Sequence, residues 1–158
     1  MAVKTNAQLK AGRDFVDVLD TIVPTPVTLA DVAATSLSKD VHQGRVNLVP
    51  DATQDNTYTL PAPAAAGEYY RFVYAGVAAD TENVLISSGA GSSVFLKGSV
   101  NHLDTDADNA ALYINGTSHQ LLTLVNPGAF EINCLSISDT VWQVWGSVLS
   151  ADVPTIAN

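Results

Sequence analysis

Short runs of alternating apolar and polar residues, separated by turn residues, occupy the chain from about residue 44 to residue 149. Alternation with a period of two is typical of β-strands that bury one face. About nine such runs recur at a spacing of roughly ten residues, over 45–49, 57–60, 69–74, 83–87, 93–97, 111–114, 119–125, 130–137 and 140–149. No alternation of strands with helices is visible. The pattern predicts an all-β domain, an antiparallel β-sandwich or barrel that is jelly-roll-like.

The last run shows how the predicted strands divide their residues between two faces. Trp142 and Val144 share one face, and Val141, Gln143 and Trp145 share the other. Because large aromatic side chains dominate core energetics, we expect Trp142 in the core. Trp145 is then predicted to point toward the second sheet or toward a neighbouring chain.

Turn and N-terminal patterns set the predicted organisation. Asn115-Gly116 predicts a β-hairpin, with 119–125 as the return strand, because both residues tolerate positive φ. Residues 7–20 are ambiguous and could form a short helix, whereas 21–36 are Pro-limited and indicate an arm or an edge strand. We therefore predict an extended N-terminal arm over residues 1–43 and a β-sandwich body over residues 44–158.

Charge is sparse and unevenly distributed. Charged residues make up 15% of the chain, the net charge is −9, and residues 46–158 hold two basic against eleven acidic side chains. An acidic body without a basic stripe disfavours a nucleic-acid partner. The first thirteen residues contain Lys4, Lys10 and Arg13 and no acid. This arm either binds an acidic protein surface or is a solvated tail.

Compartment signals are consistent with folding in a reducing cytosol. The single cysteine, Cys134, excludes an intrachain disulfide, and its place in an alternating run predicts a buried thiol. The N-terminus has no apolar core of the kind found in signal peptides. No apolar run reaches the roughly 20 residues of a membrane helix, so no membrane partner is expected.

One acidic motif is a candidate cation site. Asp104, Asp106 and Asp108 alternate as at the start of a calcium loop, but Asn109 replaces its glycine and Asn115 replaces its final glutamate. A solvated acidic loop or an intersubunit salt bridge is therefore favoured over a bound metal. Neither a nucleophile elbow nor a phosphate loop is present, so neither an enzyme nor a cofactor is expected.

Three aromatic residues are candidates for partner binding. Tyr69, Tyr70 and Tyr74 could form a platform on which a sugar stacks, and a receptor-binding or carbohydrate-binding module would use Tyr69, Tyr70 and Trp145. Packing in the core or in an interface is the more common use of such residues.

The body resembles the capsid decoration (cement) proteins and the related head-fibre and tail-fibre modules of tailed bacteriophages. The resemblance rests on the segments 58–63 (YTLPAP), 67–72 (GEYYRF), 129–132 (AFEI) and 141–146 (VWQVWG), and it covers roughly residues 44–150. It implies a small β-sandwich or barrel, assembled as a homotrimer on the major capsid protein at the outer surface of the virion. It implies no catalytic residues. The alternative that remains open is a receptor-binding or carbohydrate-binding fibre module.

Overall fold

Twelve strands and one short helix form in the part of the chain that the computed structural model describes, residues 25–77, 81–104 and 109–158. In chain order they are β1 (Val27–Thr28), β2 (Ala34–Ser36), α1 (Lys39–His42), β3 (Val46–Val49), β4 (Asn56–Thr59), β5 (Tyr69–Tyr74), β6 (Val84–Ser87), β7 (Phe95–Asp104), β8 (Ala110–Asn115), β9 (Leu121–Leu124), β10 (Ala129–Ser136), β11 (Val141–Ser150) and β12 (Thr155–Ala157). The predicted all-β class is confirmed.

These strands form two packed sheets. One sheet has seven strands in the order β1-β3-β5-β10-β11-β7-β8, and the other has five in the order β12-β9-β6-β4-β2. The buried apolar side chains of both sheets form one core, in which the rings of Tyr58 on β4 and Phe72 on β5 lie 6.3 Å apart. This arrangement is the β-sandwich expected from the strand spacing.

Strand pairing is more mixed than predicted. The first six strands alternate between the sheets, so that β1, β3 and β5 run parallel in one sheet and β2, β4 and β6 run parallel in the other. With the parallel pair β7–β11, five of the ten strand pairs are parallel, and the purely antiparallel sandwich is corrected. The chain crosses from one sheet to the other after each of these strands. Every second strand therefore lies in the same sheet and runs in the same direction as its neighbour there.

The hairpin predicted at Asn115-Gly116 is wrong, although the turn itself forms. Gly116 adopts a φ of 78°, and the Asn115 Oδ1 atom accepts hydrogen bonds from the backbone N–H groups of residues 117–119. However, β8 pairs with β7, whereas β9 pairs with β6 and β12 in the other sheet. Asn-Gly sets the local turn, but it does not specify which sheet the next strand joins.

The described part of residues 21–36 forms two edge strands, β1 and β2, which is one of the two predicted alternatives for this segment. β1 pairs with β3 and β2 pairs with β4, so the segment from Val27 onward belongs to the sandwich. Asp31, between β1 and β2, accepts hydrogen bonds from the Thr53 backbone N–H at 3.1 Å and from Asn56 Nδ2 at 2.9 Å. The possible helix over residues 7–20 lies outside the described residues.

The core contains the residues that alternation along the strands predicts to be buried. Trp142 is fully buried, and its ring meets that of Tyr70 in a T-shaped contact with centroids 5.5 Å apart. Cys134 is fully buried and free, and burial raises the pKa of its thiol well above the usual range. The predictions for Trp142 and Cys134 are confirmed.

Candidate functional site

The solvent-facing side of the seven-stranded sheet, named the outer face here, is unusually apolar. Alternate residues of each strand point to it, and their pairing aligns them in rows across the sheet. Its large apolar and aromatic members are Val46, Leu48, Tyr69, Val73, Phe95, Leu103, Tyr113, Leu135, Val141, Trp145 and Leu149. When one face of a sheet packs on the core, the residues on the face that meets water are normally polar. This face departs from that pattern.

The most exposed apolar residues of the outer face lie on neighbouring strands. Trp145 and Leu149 on β11 are 40% and 38% exposed, Leu103 on β7 is 44% exposed, and Tyr113 on β8 is 70% exposed. Leu149 lies directly beside Leu103 in the parallel β11–β7 register. Across β7, Trp145 and Tyr113 both align with Ser99. Ser99 lies between Trp145 and Tyr113, and the pair Ser147–Asn101 lies between that row and the row of Leu149 and Leu103. The four side chains, called the patch below, are thus spaced apolar positions on an uncharged part of the face.

A hydrogen-bonded network adjoins this patch on β5 and β10. The Tyr69 hydroxyl donates to Asn133 Oδ1, and Asn133 Nδ2 donates to Glu131 Oε1 at 3.3 Å. Arg71 Nη2 donates to Glu131 Oε2 at 2.9 Å. Trp145 lies opposite Asn133, and its ring centroid is 6.3 Å from that of Tyr69 with an interplanar angle of 31°. The network fixes both aromatic rings on the sheet.

Electrostatics keep this network in one ionisation state near neutrality. The hydrogen bond from Arg71 lowers the pKa of the Glu131 carboxyl and, in return, raises the pKa of the Arg71 guanidinium. Partial burial raises the pKa of the Tyr69 hydroxyl, so that group stays protonated and can donate.

The outer face is nearly neutral, whereas the rest of the protein is acidic. Its charged side chains in the described strands are Arg71, Lys97 and Glu131, and the last is paired with the first. The other described acids lie in loops, in α1, at strand ends or in the buried position of Glu68. Because the single described acid of this face is paired with Arg71, the face can approach another acidic molecule at little electrostatic cost.

The structure brings together two of the residues that the sequence singled out. Tyr69 and Trp145 meet on the outer face. Tyr70 is fully buried against Trp142, so its candidacy for partner binding is corrected; adjacent residues of a strand point to opposite sides of the sheet. Lys4, Lys10 and Arg13 lie outside the described residues.

The acidic motif is only partly described. Asp104 ends β7, while Asp106 and Asp108 lie outside the described residues, so the calcium hypothesis stays a prediction. Within the ranges that the structure describes, no group of three or more His, Cys, Asp or Glu side chains could hold a metal ion.

Sequence reasoning missed most of the patch. Leu103 and Leu149 were not singled out, and neither was Tyr113 or the Asn133 amide. A usable signal was present in β11, where apolar residues fill both faces of one strand. That pattern is typical of a strand whose second face meets protein rather than water.

Neither the models of known protein families nor the curated proteins match this chain. Within the described part of the chain, no helix could span a lipid bilayer. The arrangement on the outer face therefore has to be interpreted from its own chemistry, which is apolar, aromatic and nearly uncharged.

Proposed function

We propose that this protein is a structural component of a tailed-bacteriophage virion. It binds the outer surface of the capsid, through the major capsid protein, and stabilises the shell by bridging capsomers. The observation that carries the proposal is the apolar, nearly neutral outer face of the seven-stranded sheet. The resemblance of residues 44–150 to capsid decoration proteins supplies the identity of the partner.

The outer face has the dimensions of a stable protein interface. The seven strands hold 46 residues in total, and each residue covers about 3.3 Å along its strand and about 4.8 Å across the sheet. The footprint is therefore on the order of 600–900 Å², compared with about 800 Å² per partner in a standard interface. Trp145 and Tyr113 supply aromatic anchors of the type that dominates binding energy.

Binding to the assembled shell explains how such a contact stabilises it. A molecule that binds the closed shell and not its free subunits shifts the equilibrium toward the shell by mass action. Lys4, Lys10 and Arg13 add a second anchor in this proposal, by binding acidic groups on the capsid. The threefold assembly implied by the resemblance stays a prediction.

Sedimentation with capsids that lack this protein tests the proposal. We expect the purified wild-type protein to sediment with the particles and to raise their disruption temperature. Leu149→Lys places a charge in the patch, directly beside Leu103, so its affinity should fall at least tenfold, about 1.4 kcal/mol. Val153→Lys is the matched control, because Val153 is an exposed apolar residue, 54% accessible, outside the sheets.

The control should bind as the wild type does, and both variants should melt near the wild-type temperature. Wild-type affinity of Leu149→Lys would show that the outer face does not dock on the shell. Absence of binding by the wild-type protein itself would refute the capsid role.

One observation favours a second candidate, a carbohydrate-binding module. Trp145 presents an exposed ring next to Tyr69, and it is flanked by the neutral side chains of Asn133, Gln143 and Ser99. Flat aromatic rings bordered by amides and hydroxyls suit sugar stacking and hydrogen bonding. Glycan binding by the isolated protein that is lost in Trp145→Ala, without binding to capsids, would select this function instead.

A further inference from the structure

The two sheets end in four edge strands that differ greatly in length. They are β1 and β8 in the larger sheet and β2 and β12 in the smaller one. β1 has two residues, β2 and β12 have three each, and β8 has six. An edge strand leaves every second backbone N–H and C=O without an in-sheet partner, so a long edge is a template for another strand.

The β8 edge lacks the features with which proteins usually block such pairing. Short length, a proline or a charged side chain, lysine above all, normally protects an edge. The very short β1 directly follows Pro26, but the sequence from Asn109 to Ser118 contains neither proline nor a charged residue. Tyr113, in the middle of β8, is 70% exposed. Among the described residues, β8 has β7 as its one strand neighbour.

We propose that β8 pairs antiparallel with β8 of a second copy of this chain, across a twofold axis. A strand that pairs with itself in this way makes an isologous contact, which closes with two copies. Each copy carries a net charge of −9, which opposes association of two copies. Pairing through β8 brings no charged side chains into direct contact, because the stretch from Asn109 to Ser118 carries none, although Asp104, Asp106 and Asp108 precede it in the chain.

Side-chain size favours one register for this pair. With Leu112 on the twofold axis, Tyr113 lies beside Ala111 of the second copy, and Ile114 lies beside its Ala110. On either side of the axis, a bulky side chain then faces a small one. The two half-buried Leu112 side chains meet at the inner side of the joined sheet, next to the core they already contact.

The proposed contact is independent of the proposed function, because it forms between copies in solution. It would still serve that function. A twofold axis of this kind is perpendicular to the sheet, so the two outer faces point to the same side. A pair of copies could then bind one shell through both faces at once, which raises its avidity.

Mass measurement by light scattering, from micromolar to millimolar protein, gives the first test. Ala111→Lys places like charges across the twofold axis, whereas Ala129→Lys makes the same exchange at an exposed residue of β10, away from the edge. We expect wild type and Ala129→Lys to contain twice as many copies as Ala111→Lys. A monomeric wild-type protein at every concentration would overturn the proposal, as would an assembly whose mass Ala111→Lys leaves unchanged.

Cysteine cross-linking gives the second test, and it reads the register directly. Directly opposed residues of antiparallel strands have Cα atoms about 4.5–5.5 Å apart, within disulfide range. Leu112→Cys should therefore form a covalent dimer under mild oxidation, while Tyr113→Cys, displaced from the axis, should not. The native Cys134 is fully buried and does not interfere. A covalent dimer of Tyr113→Cys alone would refute the proposed register, and cross-linking of neither variant would refute the contact.

Discussion

Replacing Trp142 with alanine should remove the largest single contribution to the core. Trp142 lies on β11, between β10 and β7 near the middle of the seven-stranded sheet, and it is fully buried. Its ring contacts the equally buried ring of Tyr70. The substitution would leave a large cavity between the two sheets, and the paired strands around it cannot close that cavity without losing backbone hydrogen bonds.

The expected loss follows from burial. A tryptophan side chain buries up to about 250 Å², which at about 25 cal/mol per Å² gives an upper bound near 6 kcal/mol. Large aromatic-to-alanine changes in protein cores cost about 3–5 kcal/mol, compared with a total stability of about 5–15 kcal/mol. In a domain of this size each kcal/mol lowers the melting temperature by about 2–4 °C, so a fall of roughly 6–20 °C is expected.

Trp145→Ala is the matched control, because it makes the same change three residues further along the same strand, on the outer face. Trp145 is 40% exposed, so the cost for a fully buried aromatic scales down to about 2–3 kcal/mol, including its ring contact with Tyr69. Urea unfolding followed by circular dichroism measures both variants. Equal losses in the two variants would contradict the core assignment of Trp142, and a larger loss in Trp145→Ala would show that the two faces of β11 are exchanged.

Two further predictions concern single residues at contacts between neighbouring elements. Burial raises the pKa of the Glu68 carboxyl, but its 2.6 Å ion pair with Lys39 and other hydrogen bonds outweigh that effect and lower the pKa below the usual 4.5. Glu68 therefore stabilises the fold above about pH 4.5 and loses this effect as the pH falls further. Glu68→Gln should lower the free energy of unfolding by about 1–3 kcal/mol at neutral pH and by much less in acid. Thermal melting across that pH range measures the difference. At Gly146 an added Cβ would lie 2.0 Å from the Glu131 carbonyl oxygen, whereas at Gly44 it would meet no atom within 4 Å. Calorimetry should therefore show that Gly146→Ala lowers the free energy of unfolding by about 1–3 kcal/mol more than Gly44→Ala does. Equal losses in the two variants would contradict the backbone clash.

Local pattern predicted where strands lie better than how long they are. The run 69–74 coincides with β5, and 130–137 differs from β10 by one residue at each end. By contrast, 93–97 covers only the start of β7, which continues to Asp104. Polar residues obscured the rest of β7, because His102 is buried there and its Nε2 lies 3.0 Å from the Ser150 carbonyl oxygen on β11. Sequence patterns assign such a polar side chain to the surface, because its hydrogen-bonding partner lies far away along the chain.

Sheet membership could not be predicted, because it depends on which strands meet across long distances in the chain. β9 has the alternation of a return strand, but Val84–Ser87 of β6 is its partner in the smaller sheet. The same uncertainty concealed the parallel pairs of β1 to β6. An alternating run specifies a buried and an exposed face, and it fits a parallel neighbour as well as an antiparallel one.

The candidate surface was visible in the sequence only as an ambiguity in β11. Trp142, Val144 and Val148 require one buried face, while Val141, Trp145 and Leu149 give the other face a similar apolar character. From sequence alone such a strand is equally consistent with the centre of a doubly covered sheet and with a sandwich that docks on another protein. The structure separates these possibilities, because the smaller sheet covers one face of β11 and no described element of the chain covers Trp145 and Leu149. The apolar residues that made the register ambiguous are thus those that a partner chain would have to bury.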